Sequence, residues 1–363
     1  MKVILATDSL VRPLTGIGNY TLALAEALQS SSEVTQLFYA TADSVSSDLV
    51  INEPSRPRWR HSLIKRLLPH RLRRFRDLKA KKLSQSLPAD CVFHATNYSM
   101  PAYDGATVVT IHDLSVIDHA GWHPSDRVMF LTAAIHKAVE EANILMFDSE
   151  FVLNLAVEKF PEAVSKMRVV PLPSRLPSPD KHDVKRSRSR FILGLVGDNP
   201  RKNTSALLRA YHMLPREVRQ EYPLVLTGQS SLTKPDRQYL TDEVTMLGFV
   251  SEEELLSLYR KATFSVFPSV YEGFGLPIVE SLSQGTPVLV HDYAGTREFD
   301  LPGLSFCCTL DCQSFSKALL TMLDTAETED RERIISAVRD NYGLEPWLEK
   351  TLACYREAIH KHI

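Results

Sequence analysis

Ser269-Val-Tyr-Glu-Gly-Phe-Gly-Leu-Pro-Ile-Val-Glu280 is the stretch from which the rest of the chain can be read. The β-type run Phe264–Phe267 precedes it, and Pro268 ends that run. Gly273 and Gly275 then let the backbone turn tightly and approach a ligand closely. Pro277 suits the first turn of a helix, where its missing N–H leaves nothing unpaired. Strand, tight turn and helix N-terminus in that order offer unpaired N–H groups and a positive dipole end, which favour phosphate. Glu272 and Glu280 flank the turn with seven residues between them. Carboxylates so placed can accept hydrogen bonds from ligand hydroxyls, although the spacing alone fits two surface glutamates equally well.

Alternation of short apolar runs with helical patterns extends in both directions, the mark of parallel α/β layers. The second half reads as strand Phe191–Val196, a helix from about Asn203, strand Leu224–Thr227, helix Glu252–Lys261, strand Phe264–Phe267, a helix from about Pro277 and strand Pro287–Val290. In the first half, strand Lys2–Thr7 leads into a polar loop with Gly16-Ile17-Gly18, which opens a helix near Asn19–Leu28. Strands Cys91–Ala95, Val108–Ile111 and Ile144–Phe147 follow, with a helix over about Asp126–Ala142 between the last two. Ser149 is a good N-cap for the helix after them. Pro171 to Arg190 holds four prolines, several serines and a run of charge, a linker composition.

At 363 residues, two domains are the natural expectation. They are drawn as 1–172 and 191–345, joined by a linker at 173–190, with a last helix at about 346–363 packing back on the first domain. The expected fold class is α/β, with doubly wound parallel sheets whose ligands bind beyond the carboxyl ends of the strands.

Three further segments sit at such ends. Gly197-Asp-Asn-Pro-Arg-Lys-Asn203 follows the first strand of the second half, so Arg201 and Lys202 precede a helix N-terminus. Two cations there suit a diphosphate that gains charge as it leaves, and a solvated basic loop is the plain alternative. Thr110-Ile-His-Asp-Leu114 puts His112 at the end of an apolar strand. Thr15-Gly-Ile-Gly-Asn19 follows the first strand, but Thr21 occupies the last place of the full dinucleotide fingerprint. No Asp-x-Asp pair occurs, which beside Arg201 and Lys202 favours protein cations over a metal.

Taken in order, the four segments resemble the motifs of family 4 glycosyltransferases, and the resemblance covers nearly the whole chain. It implies the GT-B fold, two facing Rossmann-like domains with a cleft between them. It implies that Glu272 contacts the donor sugar and Glu280 the nucleotide ribose. The backbone at Phe274, Gly275 and Leu276 would hold the donor sugar and phosphates, and Arg201 and Lys202 would neutralise the leaving diphosphate. The cationic loop looks a residue shorter than in many relatives, which leaves the share of each cation open. His112 would border the reacting sugar, with Asp113 as its orienting partner, while Gly16 and Gly18 would face the donor phosphates and acceptor. Retention at the anomeric carbon, no metal and no other cofactor come with the family.

Within that family the chain looks most like bacterial transferases that use GDP-mannose or GDP-rhamnose to build O-antigen or other surface polysaccharide. GDP-mannose is the first choice of donor, with UDP- and dTDP-sugars open, since the base is read near Gly248–Val250. The implied acceptor is a glycan or a polyprenyl-linked lipid. A nucleotide-sugar epimerase and a non-catalytic sugar-nucleotide binder are the rivals of other classes. Incubation with donor alone separates them, because an epimerase isomerises it, a binder leaves it unchanged, and a transferase waits for acceptor.

The formal charge of −2 conceals an asymmetry. Twelve Lys or Arg and a single acid, Asp77, lie between Arg56 and Lys82, leaving 30 bases against 43 acids elsewhere. Within that stretch Trp59, Leu63, Ile64, Leu67, Leu68, Leu72 and Phe75 recur at near-helical spacing, interrupted at Pro69. A basic amphipathic helix of this kind can lie on an anionic bilayer, or pack its stripe on the first domain while its arginines reach water. No nucleic-acid fold signal accompanies it. Cys91, Cys307, Cys308, Cys312 and Cys354 form no CxxC pair and read as thiols of a reducing compartment. With no signal-peptide pattern and no apolar run of about 20 residues, the expected place is the cytoplasm, peripheral to the inner face of the membrane. Charge reversal at Arg71, Arg73 and Arg74 is expected to abolish sedimentation with anionic liposomes, and unchanged sedimentation would refute the membrane reading.

Overall fold

Ile144–Phe147 and Phe264–Phe267 are buried at all four positions. Strands apolar or small on both faces belong inside parallel sheets that helices cover from both sides. The structure, a computed structural model, describes residues 1–12, 14–41, 44–53, 88–180, 184, 188–228, 232 and 235–362. It divides into two units, Met1–Asp148 with Val152–Val170 and Trp347–Ile363, and Ser149–Phe151 with Pro171–Pro346.

The first unit carries β1 (Lys2–Ala6), β2 (Gln36–Ala40), β3 (Val45–Ser46), β4 (Val92–Ala95), β5 (Ala106–Ile111), β6 (Ile144–Phe147) and β7 (Met167–Val169). Their order is β3-β2-β1-β4-β5-β6-β7, with only β3 antiparallel to its neighbour. The second carries β8 (Ile192–Leu195), β9 (Leu224–Thr227), β10 (Val244–Gly248), β11 (Phe264–Phe267), β12 (Val288–His291) and β13 (Leu304–Cys307). These pair in parallel in the order β10-β9-β8-β11-β12-β13. Both units are therefore Rossmann-like, with strand order reversing between β1 and β4 and between β8 and β11, the places where such sheets bind ligands.

Side-chain alternation along each strand feeds two cores. Ile192, Leu224 and Phe264 pack with Leu207, Tyr211, Phe315 and Leu319. Leu193, Phe267 and Val290 pack with Tyr259, Val279 and Ile334 on the opposite face. Each fully buried side chain of this size contributes about 1.5–3 kcal/mol of transfer free energy. Helix Glu252–Lys261 packs here too, and its ends are written in the sequence. Ser251 and Glu254 form a capping box, three glutamates fill its first turn, and Arg260 and Lys261 close it.

Two sequence expectations read differently in the structure. Gly16-Ile17-Gly18 is the first turn of helix Gly16–Ser30 and not a loop ahead of it, because the Thr15 side chain caps the turn by accepting from the Gly18 N–H. The described residues of the expected linker 173–190 pack into the second unit. Leu176 is 7% exposed in its core, the Ser174 N–H donates to the Tyr342 carbonyl at 3.0 Å, and Arg188 donates to the Gly285 carbonyl at 2.8 Å. The basic stretch 56–82 lies outside the described residues. Among the described residues, no helix is long and apolar enough to cross a membrane.

Helix Leu344–His362 enters the first unit at Trp347. Tyr355, fully buried, pairs its hydroxyl with His94 Nδ1 at 2.7 Å, and His94 Nε2 pairs with Thr110 Oγ1 at 2.8 Å. Burial pushes His94 down to about 3, so this strand-to-helix bridge is uncharged.

Gly228 has φ +102°, and a Cβ there would stand 2.3 Å from the Val196 carbonyl oxygen. Gly228→Ala is expected to cost about 2 kcal/mol or more. A Cβ on Gly16 would meet nothing within 4 Å, so Gly16→Ala should change stability by less than about 1 kcal/mol. Urea denaturation of both variants checks the contrast, which equal midpoints would refute.

Candidate active site

In the second unit, the turn after β11 is held open by conformation and by an anchor. Gly275 has φ +97°, left-handed backbone that only glycine adopts without strain, and it caps helix Leu276–Ser283, which starts one residue before Pro277. Phe274, 6% exposed, packs edge-on against Phe299 with centroids 5.2 Å apart. Its side chain is therefore core, and only backbone is left at this position for a ligand.

Glu272 stands at the head of this turn. Its Oε1 accepts from Lys202 Nζ at 2.7 Å, and its Oε2 is 3.5 Å from Arg201 Nη1. Burial alone would raise the Glu272 carboxyl, but Lys202 and Arg201, helped by hydrogen bonds from Lys202 and Ser269, hold it below the ordinary carboxylate range. The Glu272 N–H donates to the Tyr293 phenol oxygen at 2.8 Å. Lys202, Ser269, Glu272, Gly275 and Thr296 line one small cavity.

The cations sit on a single 3-10 turn, Pro200–Lys202, whose start the Asn199 side chain caps by accepting from the Arg201 N–H at 3.1 Å. The Val270 N–H donates to the Arg201 carbonyl at 2.8 Å, tying this loop to the one carrying Glu272. Asn203, left-handed at φ 51°, donates through Nδ2 to the Thr309 hydroxyl at 3.1 Å. Thr309, fully buried, donates its hydroxyl to the Pro268 carbonyl at 3.0 Å and its N–H to His291 Nδ1 at 3.2 Å. His291 accepts at Nδ1 and burial lowers its pKa, so it serves here as a neutral ring. Loops from β8, β11, β12 and β13 are thus laced together by groups that carry no charge.

Glu280 lies farther along the helix and accepts from the Tyr259 hydroxyl at 3.2 Å. Burial lifts it to about 7, against the partial opposition of that hydrogen bond. The two glutamates of the motif therefore differ in kind, one an ion-paired carboxylate and the other half protonated near neutrality.

In the first unit, His112 follows β5 with both ring nitrogens engaged. Nδ1 meets Asp148 Oδ2 at 2.7 Å, and Nε2 donates to the Thr96 carbonyl at 2.9 Å. Burial pushes the imidazolium down, but the Asp148 carboxylate and the two hydrogen bonds outweigh it, and the pKa ends raised. The orienting partner is thus Asp148 and not Asp113. Asp113 Oδ1 accepts instead from the Ser115 N–H at 3.0 Å and the Ser115 hydroxyl at 2.7 Å, closing its own turn. The Tyr20 ring meets the imidazole edge-on at 5.0 Å. Gly18 is packed tightly, since a Cβ there would approach the Ser9 carbonyl to 2.8 Å.

The structure thus brings Arg201, Lys202 and Glu272 into contact, with Phe274, Gly275, Leu276 and Glu280 on the adjoining turn and helix. Gly16, Gly18 and His112 lie at carboxyl ends of strands in the first unit. Sequence reading missed Asp148, Tyr293, Thr309 and His291, and gave no role to Asn203 at the end of the cationic segment. Asp148 and His291 each stand at the carboxyl end of an apolar run, a signal that was available.

A family model described as "Glycosyl transferases group 1" matches residues 180–341, the segment that holds Arg201, Lys202, Glu272 and Glu280. O-antigen chain mannosyltransferase B of Escherichia coli is 30% identical over 322 residues, 82% of this chain and 84% of that protein. Serotype-specific mannosyltransferase WbdA of Escherichia coli is 28% identical over 223 residues, 59% of this chain and 22% of that protein. Among solved structures, the sucrose-phosphate synthase of Thermosynechococcus elongatus superposes with a TM-score of 0.71 at 18% identity, covering 98% of each chain. That likeness concerns the fold alone, and the fold is the two-domain, Rossmann-like one expected from the sequence. The chain belongs to the group 1 glycosyl transferases, and it is a glycosyltransferase.

Glu280 rises from 4.5 to about 7 on folding, so its favourable contribution is complete below 4.5 and is lost as pH climbs through about 7. Glu280→Gln keeps an acceptor for Tyr259 without the ionisation. Its melting temperature is expected to gain on the unsubstituted protein between about pH 5 and pH 8, and a constant difference across that range would refute the assignment.

Proposed function

We propose that this glycosyltransferase moves mannose from GDP-mannose to a glycan or polyprenyl-linked acceptor in the assembly of O-antigen-type polysaccharide, with retention and without a metal. The observation that carries the donor reading is the contact of two cations with Glu272 beside a glycine turn and a helix N-terminus. Support for mannose and for O-antigen comes from the names of the relatives, above all O-antigen chain mannosyltransferase B of Escherichia coli.

In this reading the diphosphate lies against Arg201, Lys202 and the N–H groups at Gly275 and Leu276. The hexose hydroxyls donate to Glu272, and the ribose hydroxyls meet Glu280. The acceptor oxygen bonds to the anomeric carbon as the bond from that carbon to the diphosphate oxygen breaks. The nucleoside diphosphate leaves with the electron pair, and the acceptor proton passes to the departing phosphate on the same face. The protein's part is to orient the reactants and to neutralise charge growing on the leaving group. His112 is assigned to the reacting sugar, and Gly16 and Gly18 to the donor phosphates and acceptor. Held by Asp148 and the Thr96 carbonyl, the His112 ring presents one fixed orientation.

A melting-temperature panel with GDP, UDP, dTDP, ADP and CMP, without metal and then with Mg²⁺, tests the donor. A selective rise with GDP without metal is the expected result, since a ligand that binds only the folded state stabilises it. A rise with UDP or dTDP would replace the donor, and no rise with any would refute the reading. Lys202→Ala is expected to lower kcat about 10²–10³-fold while the protein stays folded, and near-normal turnover would count decisively against it.

A further inference from the structure

Three charges meet at Glu272 within the protein. Lys202 at 2.7 Å and Arg201 at 3.5 Å face one carboxylate, with side chains 26%, 22% and 15% exposed in that order. The backbone on both sides of this contact is held. The Glu272 N–H is fixed on the Tyr293 phenol, and the turn behind it is anchored by Phe274 and by the left-handed Gly275. The Lys202 stem lies over Gly197, where an added Cβ would meet Lys202 Cγ at 3.2 Å. A diphosphate that recruits Arg201 and Lys202 therefore shares them with Glu272 and loosens their hold on it. A sheltered carboxylate stripped of its cations is strongly disfavoured unless other donors replace them.

We propose that Glu272 sets the selectivity between donor and product, by competing with any diphosphate for Arg201 and Lys202 and yielding them only to a ligand that also brings sugar hydroxyls. The proposal rests on the reading of this site as one for a nucleotide-diphosphate sugar. A nucleotide sugar returns hydrogen bonds to Glu272 in exchange for the cations it takes. A bare nucleoside diphosphate returns none, and its terminal phosphate carries one more negative charge toward the same carboxylate. Charge attraction to Arg201 and Lys202 alone would favour the product over the donor, so without Glu272 the spent nucleotide would block the site. The same carboxylate that holds the sugar thereby expels what remains once the sugar has gone. This reverses the usual expectation for a binding residue, since removing it should tighten one ligand.

Isothermal titration of GDP, UDP and dTDP into the full-length protein, Glu272→Gln and Lys202→Ala tests this. The nucleoside diphosphate that the unsubstituted protein binds is expected to bind Glu272→Gln at least about threefold tighter and Lys202→Ala more weakly. Binding to Glu272→Gln alone would also support the proposal. Equal or weaker binding to Glu272→Gln, at an unchanged melting temperature, overturns it while leaving the nucleotide-sugar reading intact. If the glutamine variant loses stability, Glu272→Ala is read in the same way. Failure of every nucleoside diphosphate to bind any of these proteins overturns the nucleotide-sugar reading, and this inference with it.

Discussion

The ion pair of Glu272 with Lys202 and Arg201 joins two loops that leave adjacent strands of one sheet, and the rest of the site is arranged around keeping it. Withdrawing three charges from water is expensive, and their attraction repays this only when the backbone on both sides is already fixed. Neutral groups do the fixing. The Val270 N–H holds the Arg201 carbonyl, Tyr293 takes the Glu272 N–H, and Asn203, Thr309 and His291 lace four loop ends together. Because these partners carry no charge at neutral pH, the frame keeps its shape while the charged groups inside exchange partners. A frame built from further ion pairs would compete for the same ligand.

A comparable solution appears in the first unit, where His112 is clamped between Asp148 and the Thr96 carbonyl. Both pairs stand where parallel strands end. Strands such as Ile144–Phe147, buried on both faces, leave charged groups no place along their length. Charge therefore collects beyond their carboxyl ends, beside helix N-termini. Glu280 shows the other consequence of shelter, since burial, reinforced by the Glu252 carboxylate, outweighs the Tyr259 hydrogen bond and Arg175 and lifts its carboxyl to about 7.

Much of this was legible from the residues. Ile144–Phe147, Leu224–Thr227 and Phe264–Phe267 matched their expected bounds because strands buried on both faces are short apolar runs between breakers. Gln36–Ala40 and Val244–Gly248 went unread, being partly exposed and mixed in composition. Two glycines argued against a helix at Gly16, and a single cap from Thr15 overruled them. Arg201, Lys202, Glu272 and Glu280 stood out because local chain geometry sets their surroundings. The partner of His112 did not, since Asp148 arrives only through the pairing of β5 with β6, 36 residues away in sequence. Tyr293 and Thr309 were hidden for the same reason, as nothing near them in sequence announces contact with Glu272 or Asn203.

The buried bridge from Tyr355 through His94 to Thr110 has a bearing on how the protein is made. The first unit takes one of its own core helices from residues beyond Trp347, after the whole second unit has been spelled out. On a ribosome, which delivers the chain from its N-terminus, strands β1 to β7 emerge early but wait for that helix. All the residues of the second unit are in hand before Tyr355 appears. The domain that begins first is thus completed last, and until then the face of its sheet around His94 must be kept from straying into other partnerships.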